Sequence, residues 1–220
     1  MKREIVITSD GSSTIFIPEW NESYHSKNGA IQEAYHVFIN AGFTLINKQK
    51  INILEIGFGT GLNAFITYLE AKKEYKKINY VGVEAYPVSQ DEIIRLNYVE
   101  ELNAESQKDV FKKMHDLEWN IQNEISPQFC LTKRKQLFQE INDVESFDLI
   151  YFDAFGFTLQ PELWSEEIFQ AMYNSLLKNG VIVTYACRGS IKRAMLKAGF
   201  RVEKLPGAPG KREMLRGTKE

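Results

Sequence analysis

The chain has 220 residues, 44% hydrophobic and 25% charged, with a formal net charge of −2 at pH 7. This is the balance of an ordinary globular chain and excludes a disordered, collagen-like or membrane-embedded protein. A chain of this length buries roughly 70% of its unfolded surface, so no staple is needed, and Cys130 and Cys187 form neither a CxxC pair nor a zinc spacing. The start, MKREIVITSDG, has no apolar leader segment, and no apolar run approaches the roughly 20 residues that cross a bilayer. A cytoplasmic protein with no membrane partner and no metal centre is expected.

Residues 4–7 and 14–17 are rich in β-branched residues and bracket Ser9-Asp10-Gly11-Ser12, which predicts two short strands around a turn. Residues 28–40 carry Ile31, Ala34, Tyr35 and Phe38 at helical spacing, with Gly42 as a stop. The chain then alternates. Strands are predicted at 51–56, 78–83, 129–132, 147–152 and 181–185, and helices at 62–73, 89–98, 162–177 and 190–198. Residues 102–126 read as one or two inserted helices. Residues 200–204 and 212–217 read as a terminal antiparallel pair around Pro206-Gly207-Ala208-Pro209-Gly210. Alternating strand and helix implies an α/β fold with a mostly parallel sheet covered on both faces, here ending in an antiparallel edge.

Charge is unevenly spread. Residues 186–220 hold ten lysines and arginines against three acids, a local +7, while residues 1–185 carry −9. A basic end on an acidic body is a candidate footprint for phosphates, with a solvated surface as the plain alternative.

The strand at 51–56 runs into Glu55-Ile-Gly57-Phe58-Gly59-Thr-Gly61-Leu62-Asn63. Glycines there let the backbone turn at positive φ and approach a ligand closely. The spacing is neither GxGxxG nor that of a P-loop. Glu55, two positions before the first glycine, would repel a pyrophosphate and suit a ligand bearing a cationic amine or sulfonium. The next strand ends in Glu84, where an acid accepts hydrogen bonds from ribose hydroxyls. Together these features resemble the Rossmann-like class I S-adenosyl-L-methionine-dependent methyltransferases.

A narrower resemblance follows. Asp153-Ala-Phe155 and Pro161-Glu-Leu-Trp164 after the fourth core strand look like the D-A-F-A-P-x-x-x-P-E-M-W segment of the methyltransferase domain of the MnmC family, which modifies the tRNA wobble uridine. Asp10-Gly-Ser, Tyr24-His-Ser26 and Gly29-Ala-Ile-Gln-Glu33 look like its N-terminal signature. Residues 185–193, Ala198-Gly199-Phe200 and Pro209-Gly-Lys211-Arg212-Glu213-Met214 look like its C-terminal one. The resemblance spans residues 8–217. Gly156-Phe157 stands where the family has Ala-Pro, and residues 133–140 offer only Glu140 as a carboxylate for an adenine.

The resemblance implies a methyltransferase domain over 46–220, with residues 1–45 an N-terminal strand and helix extension packed on it. The family's FAD-dependent oxidase domain is not in the sequence, so a stand-alone enzyme is expected. The resemblance further implies methylation of the exocyclic amine of 5-aminomethyl-(2-thio)uridine at tRNA position 34, with another enzyme supplying that amine. Glu55, Gly57, Phe58, Gly59, Gly61, Leu62, Asn63 and Glu84 are the expected cofactor-binding residues. Asp153 is the expected catalytic residue, accepting a proton from the amine or orienting it, with a turn or helix-capping aspartate as the alternative. Phe155 and Trp164 are candidates for stacking on a splayed base, with core packing as the alternative, and Tyr24 and His25 for the mouth of the pocket, with a structural histidine as the alternative for His25. Lys211 and Arg212 are candidates for phosphate contact, with a solvated turn as the alternative. Two other readings stay open: an α/β transferase of methyl or aminopropyl groups to a small amine, and a non-catalytic module that binds RNA or adenosylmethionine.

Overall fold

The computed structural model describes residues 2–220. At the N-terminus β1 (Glu4–Ile7), β2 (Ser13–Ile17) and β3 (Glu22–Ser23) form a small antiparallel sheet. The turn between β1 and β2 caps the helix that follows, α1 (Ala30–Ala34). The residue before α1 is Gly29, which has no side chain to offer. Asp10 supplies the acceptor instead, taking the Gln32 amide at 2.9 Å. A Cβ on Gly29 would sit 2.7 Å from the Asp10 carboxylate, so glycine makes this approach possible. The predicted helix over 28–40 is thus a single α turn that widens into a π-helix at Tyr35–Asn40.

Eight strands form the main sheet: β4 (Lys50–Ile56), β5 (Lys77–Val83), β6 (Gln122–Ser126), β7 (Phe129–Arg134), β8 (Phe147–Phe152), β9 (Leu176–Thr184), β10 (Arg201–Pro206) and β11 (Glu213–Thr218). Their order is β10-β11-β9-β8-β4-β5-β7-β6. The five from β9 to β7 are parallel to one another, and the strands beyond them at both edges pair antiparallel. The central strands are buried on both faces, which explains their unbroken apolar runs. Along β4, Ile53 packs on one face of the sheet with Tyr151 and Phe65 of α2 (Leu62–Lys73), and Leu54 on the other with Phe152 and Phe169.

Three expectations are corrected. Of residues 102–126, only α5 (Lys108–Asp116) is a helix of any length, and the predicted helical tail is the edge strand β6. The segment 89–98 splits into α3 (Gln90–Ile93) and, beyond Asn97, α4 (Tyr98–Glu101). Asn97 is diverted to hold the N-terminal sheet, accepting from the Ser13 amide at 2.7 Å and donating to the Gly11 carbonyl at 2.9 Å. The segment 162–177 is a 3₁₀ turn at Pro161–Trp164 followed by α6 (Glu166–Ser175), whose first turn the Ser165 hydroxyl caps; Leu176 already belongs to β9. The last helix, α7 (Gly189–Lys197), leads to β10. No helix among the described residues is long and apolar enough to cross a membrane.

The chain leaves β4 toward β5 and β7 on one side and returns to β8 and β9 on the other. A crevice opens at the carboxyl ends of β4 and β8, where the order reverses and where open α/β sheets bind ligands.

Candidate active site

The ends of β4 and β8 are pressed together. The Asp153 amide donates to the Ile56 carbonyl at 2.9 Å, and a Cβ on Gly57, whose φ is +88°, would lie 2.4 Å from the Asp153 carbonyl oxygen. Only glycine fits there. The amides of Gly57 and Phe58 both donate to the Val83 carbonyl at 3.0 Å, which ties the loop to the end of β5. Phe58 lies over Gly82, where a Cβ would fall 2.3 Å from its ring. Glu84 is gripped at both oxygens, by the amides of Gly59 at 3.1 Å and Tyr86 at 2.8 Å.

A cavity of about 550 Å³ opens beside this loop. Of the sequence-predicted residues, Gly57, Phe58, Gly59, Leu62, Asn63 and Glu84 line it, as do Asp153, Phe155, Tyr24 and His25. Its outer wall is aromatic: Trp20 and Tyr24 each meet Phe155 edge-on, with centroids 5.4 and 5.1 Å apart. The Arg3 guanidinium stands 5.7 Å over Tyr24 and Arg3 also bonds Glu92, which fastens the N-terminal sheet to the rim. His25 is held by the hydroxyls of Thr14 (3.0 Å) and Thr60 (3.4 Å), and burial lowers its pKa to about 4, so it is neutral at pH 7.

Asp153 lines this cavity. The Asn63 side-chain amide donates to its Oδ2 at 2.9 Å. Burial, reinforced by Glu33, raises its carboxyl pKa to about 7, against the opposing pull of Asn63 and Lys211. A carboxyl balanced near neutrality exchanges a proton readily at the pH of the cell.

Several expected residues lie outside the cavity lining. Glu55 is fully buried, because strand alternation turns it, like Ile53, toward α2. There it meets Asn63 at 2.9 Å, burial pushes its carboxyl well above the usual range, and it does not reach a ligand in the cavity. Gly61 ends the loop against the His115 ring. Trp164 is core: it is 2% exposed, packs on Phe152 and Phe169, and its indole donates to the Phe155 carbonyl at 2.8 Å. It therefore supports the Phe155 loop from behind. Lys211 turns inward to pair with Glu33, while Arg212 is exposed. Glu140 closes its own turn on the Leu137 amide at 2.8 Å, and the cavity wall there is Leu137, Phe138 and Gln139.

Sequence reasoning missed Trp20, Arg3 and the 137–139 wall. The one signal was an aromatic two residues after Pro18 in a polar turn. The turn after Phe155, where Gly156-Phe157 departs from the family pattern, is compact: the Gly156 carbonyl accepts from the amides of Leu159 and Gln160.

A family model described as S-adenosyl-L-methionine-dependent methyltransferase matches residues 97–220, more than half of the chain. The chain belongs to this family. The methyltransferase is also similar to proteins named tRNA 5-methylaminomethyl-2-thiouridine biosynthesis bifunctional protein MnmC. That of Cupriavidus metallidurans is 24% identical over 96% of this chain and 33% of its own length. That of Burkholderia thailandensis is 29% identical over 97% and 34%. The chain thus spans about a third of the length of the curated relatives it matches. Among solved structures, MnmC2 from Aquifex aeolicus has a TM-score of 0.74 at 22% identity, covering 98% of this chain and 70% of that one. Spermidine synthase from Thermotoga maritima has a TM-score of 0.56 at 14% identity, covering 95% and 69%. These two share the fold; the family match favours methyl transfer over the aminopropyl alternative.

The cavity of the methyltransferase suits its cofactor. Its volume lies within the range of small-molecule sites, about 300–1,000 Å³. Glycine backbone forms one wall, and the carboxylates of Glu84 and Asp153 both reach it. Asn63 Oδ1 is buried with no partner, an acceptor free for a donor on a ligand.

Proposed function

We propose that this methyltransferase methylates the primary amine of 5-aminomethyl-(2-thio)uridine at the wobble position of tRNA, in the cytoplasm, after a separate activity has supplied that amine. The names of its MnmC relatives point to the substrate. The observation that carries the chemistry is Asp153, a carboxyl held near pH 7 inside an aromatic-walled cavity.

Gly57, Phe58, Gly59, Leu62 and Asn63 would hold the cofactor along the loop, with Glu84 on its ribose hydroxyls. S-adenosyl-L-methionine supplies an electrophilic methyl group on a sulfonium. An alkylamine is mostly protonated at neutral pH and has no free lone pair. The ionised Asp153 would accept its proton, freeing the lone pair to take the methyl group as the methyl–sulfur bond breaks and its electron pair leaves on sulfur as the thioether S-adenosylhomocysteine. Asn63 fixes one carboxylate oxygen at 2.9 Å and leaves the other for the amine. Trp20, Tyr24 and Phe155 offer faces and edges to a base flipped out of its stack. Neutral His25 adds no positive charge to repel the ammonium.

The test is mass analysis of nucleosides from tRNA bearing the 5-aminomethyl group, incubated with the protein and isotope-labelled adenosylmethionine. The expected product is the labelled 5-methylaminomethyl nucleoside. Binding of adenosylmethionine with no label in that nucleoside would overturn the substrate assignment.

A further inference from the structure

Glu33 is buried on α1, and its two oxygens are committed: Oε2 accepts from the Ser26 amide at 3.0 Å, and Oε1 pairs with Lys211 from the turn between β10 and β11. The Lys211 ammonium also stands 3.9 Å from the centroid of Tyr185. The Tyr185 hydroxyl donates to the Ala154 carbonyl at 2.8 Å, one residue beyond Asp153. A chain of contacts therefore runs from the pair to the backbone that carries Asp153. An ion pair whose acid is largely buried and whose lysine is 31% exposed is a weak device for stability, because desolvation and solvent screening offset much of the attraction. Its place behind the reactive carboxyl gives it another use.

We propose that Glu33 and Lys211 are positioning residues for Asp153, fixing its backbone through Tyr185 and setting its charge with two opposed fields. The proposal rests on the reading of Asp153 as the proton acceptor. Glu33 favours the protonated carboxyl and Lys211 the ionised one. The other groups facing Asp153 are Glu55 on β4, Tyr80 on β5 and Tyr185 after β9, with the uncharged amide of Asn63 on α2. Burial keeps Tyr80 and Tyr185 neutral near pH 7 and pushes the Glu55 carboxyl well above its usual range. His25 feels the same ion pair and is itself neutral there. Glu33 and Lys211 act on the Asp153 carboxyl in opposite directions.

Four variants test this: Lys211→Met, Glu33→Gln, the two combined, and Lys211→Arg. The side-chain carbon of Asp153 is titrated by NMR in protein labelled with ¹³C-aspartate, its signal assigned by loss in Asp153→Asn. Turnover against pH is measured on the aminomethyl tRNA. Lys211→Met is expected to move the Asp153 midpoint up by about one pH unit, and Glu33→Gln down by a similar amount. The combined variant should fall between them, and Lys211→Arg should stay near wild type. Should the unpaired charge in Lys211→Met prevent folding, Glu33→Gln and the combined variant still give the contrast. A merely structural pair would loosen Tyr185 in either single variant and shift both midpoints the same way or not at all; that result overturns the proposal. Opposite midpoint shifts that turnover does not follow would uphold the pair's action on Asp153 and refute Asp153 as the proton acceptor.

Discussion

The side-chain amide of Asn63 donates to two carboxyl groups at once, Glu55 and Asp153, each at 2.9 Å. One lies behind the cavity and the other lines it. Asn63 thus stands where the first turn of α2 meets the ends of β4 and β8, and both of its hydrogens are spent on holding acids. Asn63→Leu keeps the volume and removes both bonds. A buried carboxyl group that loses its donor costs about 1–3 kcal/mol, so denaturant unfolding should show a loss of that order. Because Asn63 draws the Asp153 pKa down, its loss should move the acid limb of turnover to higher pH. An unchanged pH profile would show that the amide does not act on Asp153.

The glycine loop makes a sharper prediction about the cofactor. Gly59 has a φ of +48°, and a Cβ there would meet the Tyr24 ring at 3.2 Å. Gly59→Val adds two methyl groups to that Cβ and disfavours the turn. It should abolish adenosylmethionine binding in a calorimetric titration while leaving the far-UV circular dichroism unchanged. Wild-type affinity would place the cofactor elsewhere.

How far these features were legible in the sequence depended on what fixes each one. The strands β4, β5 and β8 and the loop after β4 were readable because burial on both faces demands apolar runs and the backbone demands glycine. The strand β6 was not, since Gln122-Asn-Glu-Ile-Ser is an edge with only Ile125 buried. Glu55 looked like part of the loop by adjacency, but strand alternation decides which face it meets. Lys211 read as a surface base because its acid partner lies 178 residues away. The wall formed by Trp20 exists only once the N-terminal sheet packs on the loop after β8.

Two histidines with lowered pKa values make acid stability predictable. Burial lowers the pKa of His115 from 6.5 to about 3 and that of His25 to about 4. Each is neutral when folded and takes up a proton when unfolded below pH 6.5. The stability that each contributes is therefore complete above pH 6.5 and is lost as pH falls toward its folded value. Asp153 and Glu55, with raised values, act in the opposite sense, so the test is a difference between proteins. Between pH 6 and 4, wild type should lose more stability than His115→Phe, by up to about 1.4 kcal/mol per pH unit. Equal slopes in denaturant titrations would mean that His115 is protonated in the folded state.

Binding of tRNA should depend on exposed bases of the basic C-terminal segment. Arg188 stands 4.6 Å over Phe157, in the turn that follows Phe155, and both Arg188 and Arg212 are exposed. Replacing both by Gln should weaken tRNA binding and reduce the slope of log affinity against log salt by about 0.7–0.9 for each phosphate that the protein no longer neutralises. Adenosylmethionine affinity should not change. A slope equal to that of wild type would direct the search for the RNA path to another face.

The last prediction concerns Asp153 itself. Its carboxyl, raised to about 7 by burial and by Glu33, is partly ionised at neutral pH, and the ionised form is the one that can take a proton from an ammonium. Asp153→Asn preserves size and an acceptor oxygen but removes the charge, whereas Asp153→Ala removes both. Either change should lower turnover on the aminomethyl tRNA by about 100-fold or more, the range for a lost acid–base or orienting group. Folding should be retained, because removing a buried carboxyl that resists ionisation relieves a desolvation cost. Affinity for tRNA should change far less than turnover. If the missing function is deprotonation, raising the pH should partly rescue Asp153→Asn, since solvent then supplies the free amine. If Asp153 only orients the amine, the loss should persist at every pH. Near-normal turnover in Asp153→Ala would remove Asp153 from the mechanism altogether.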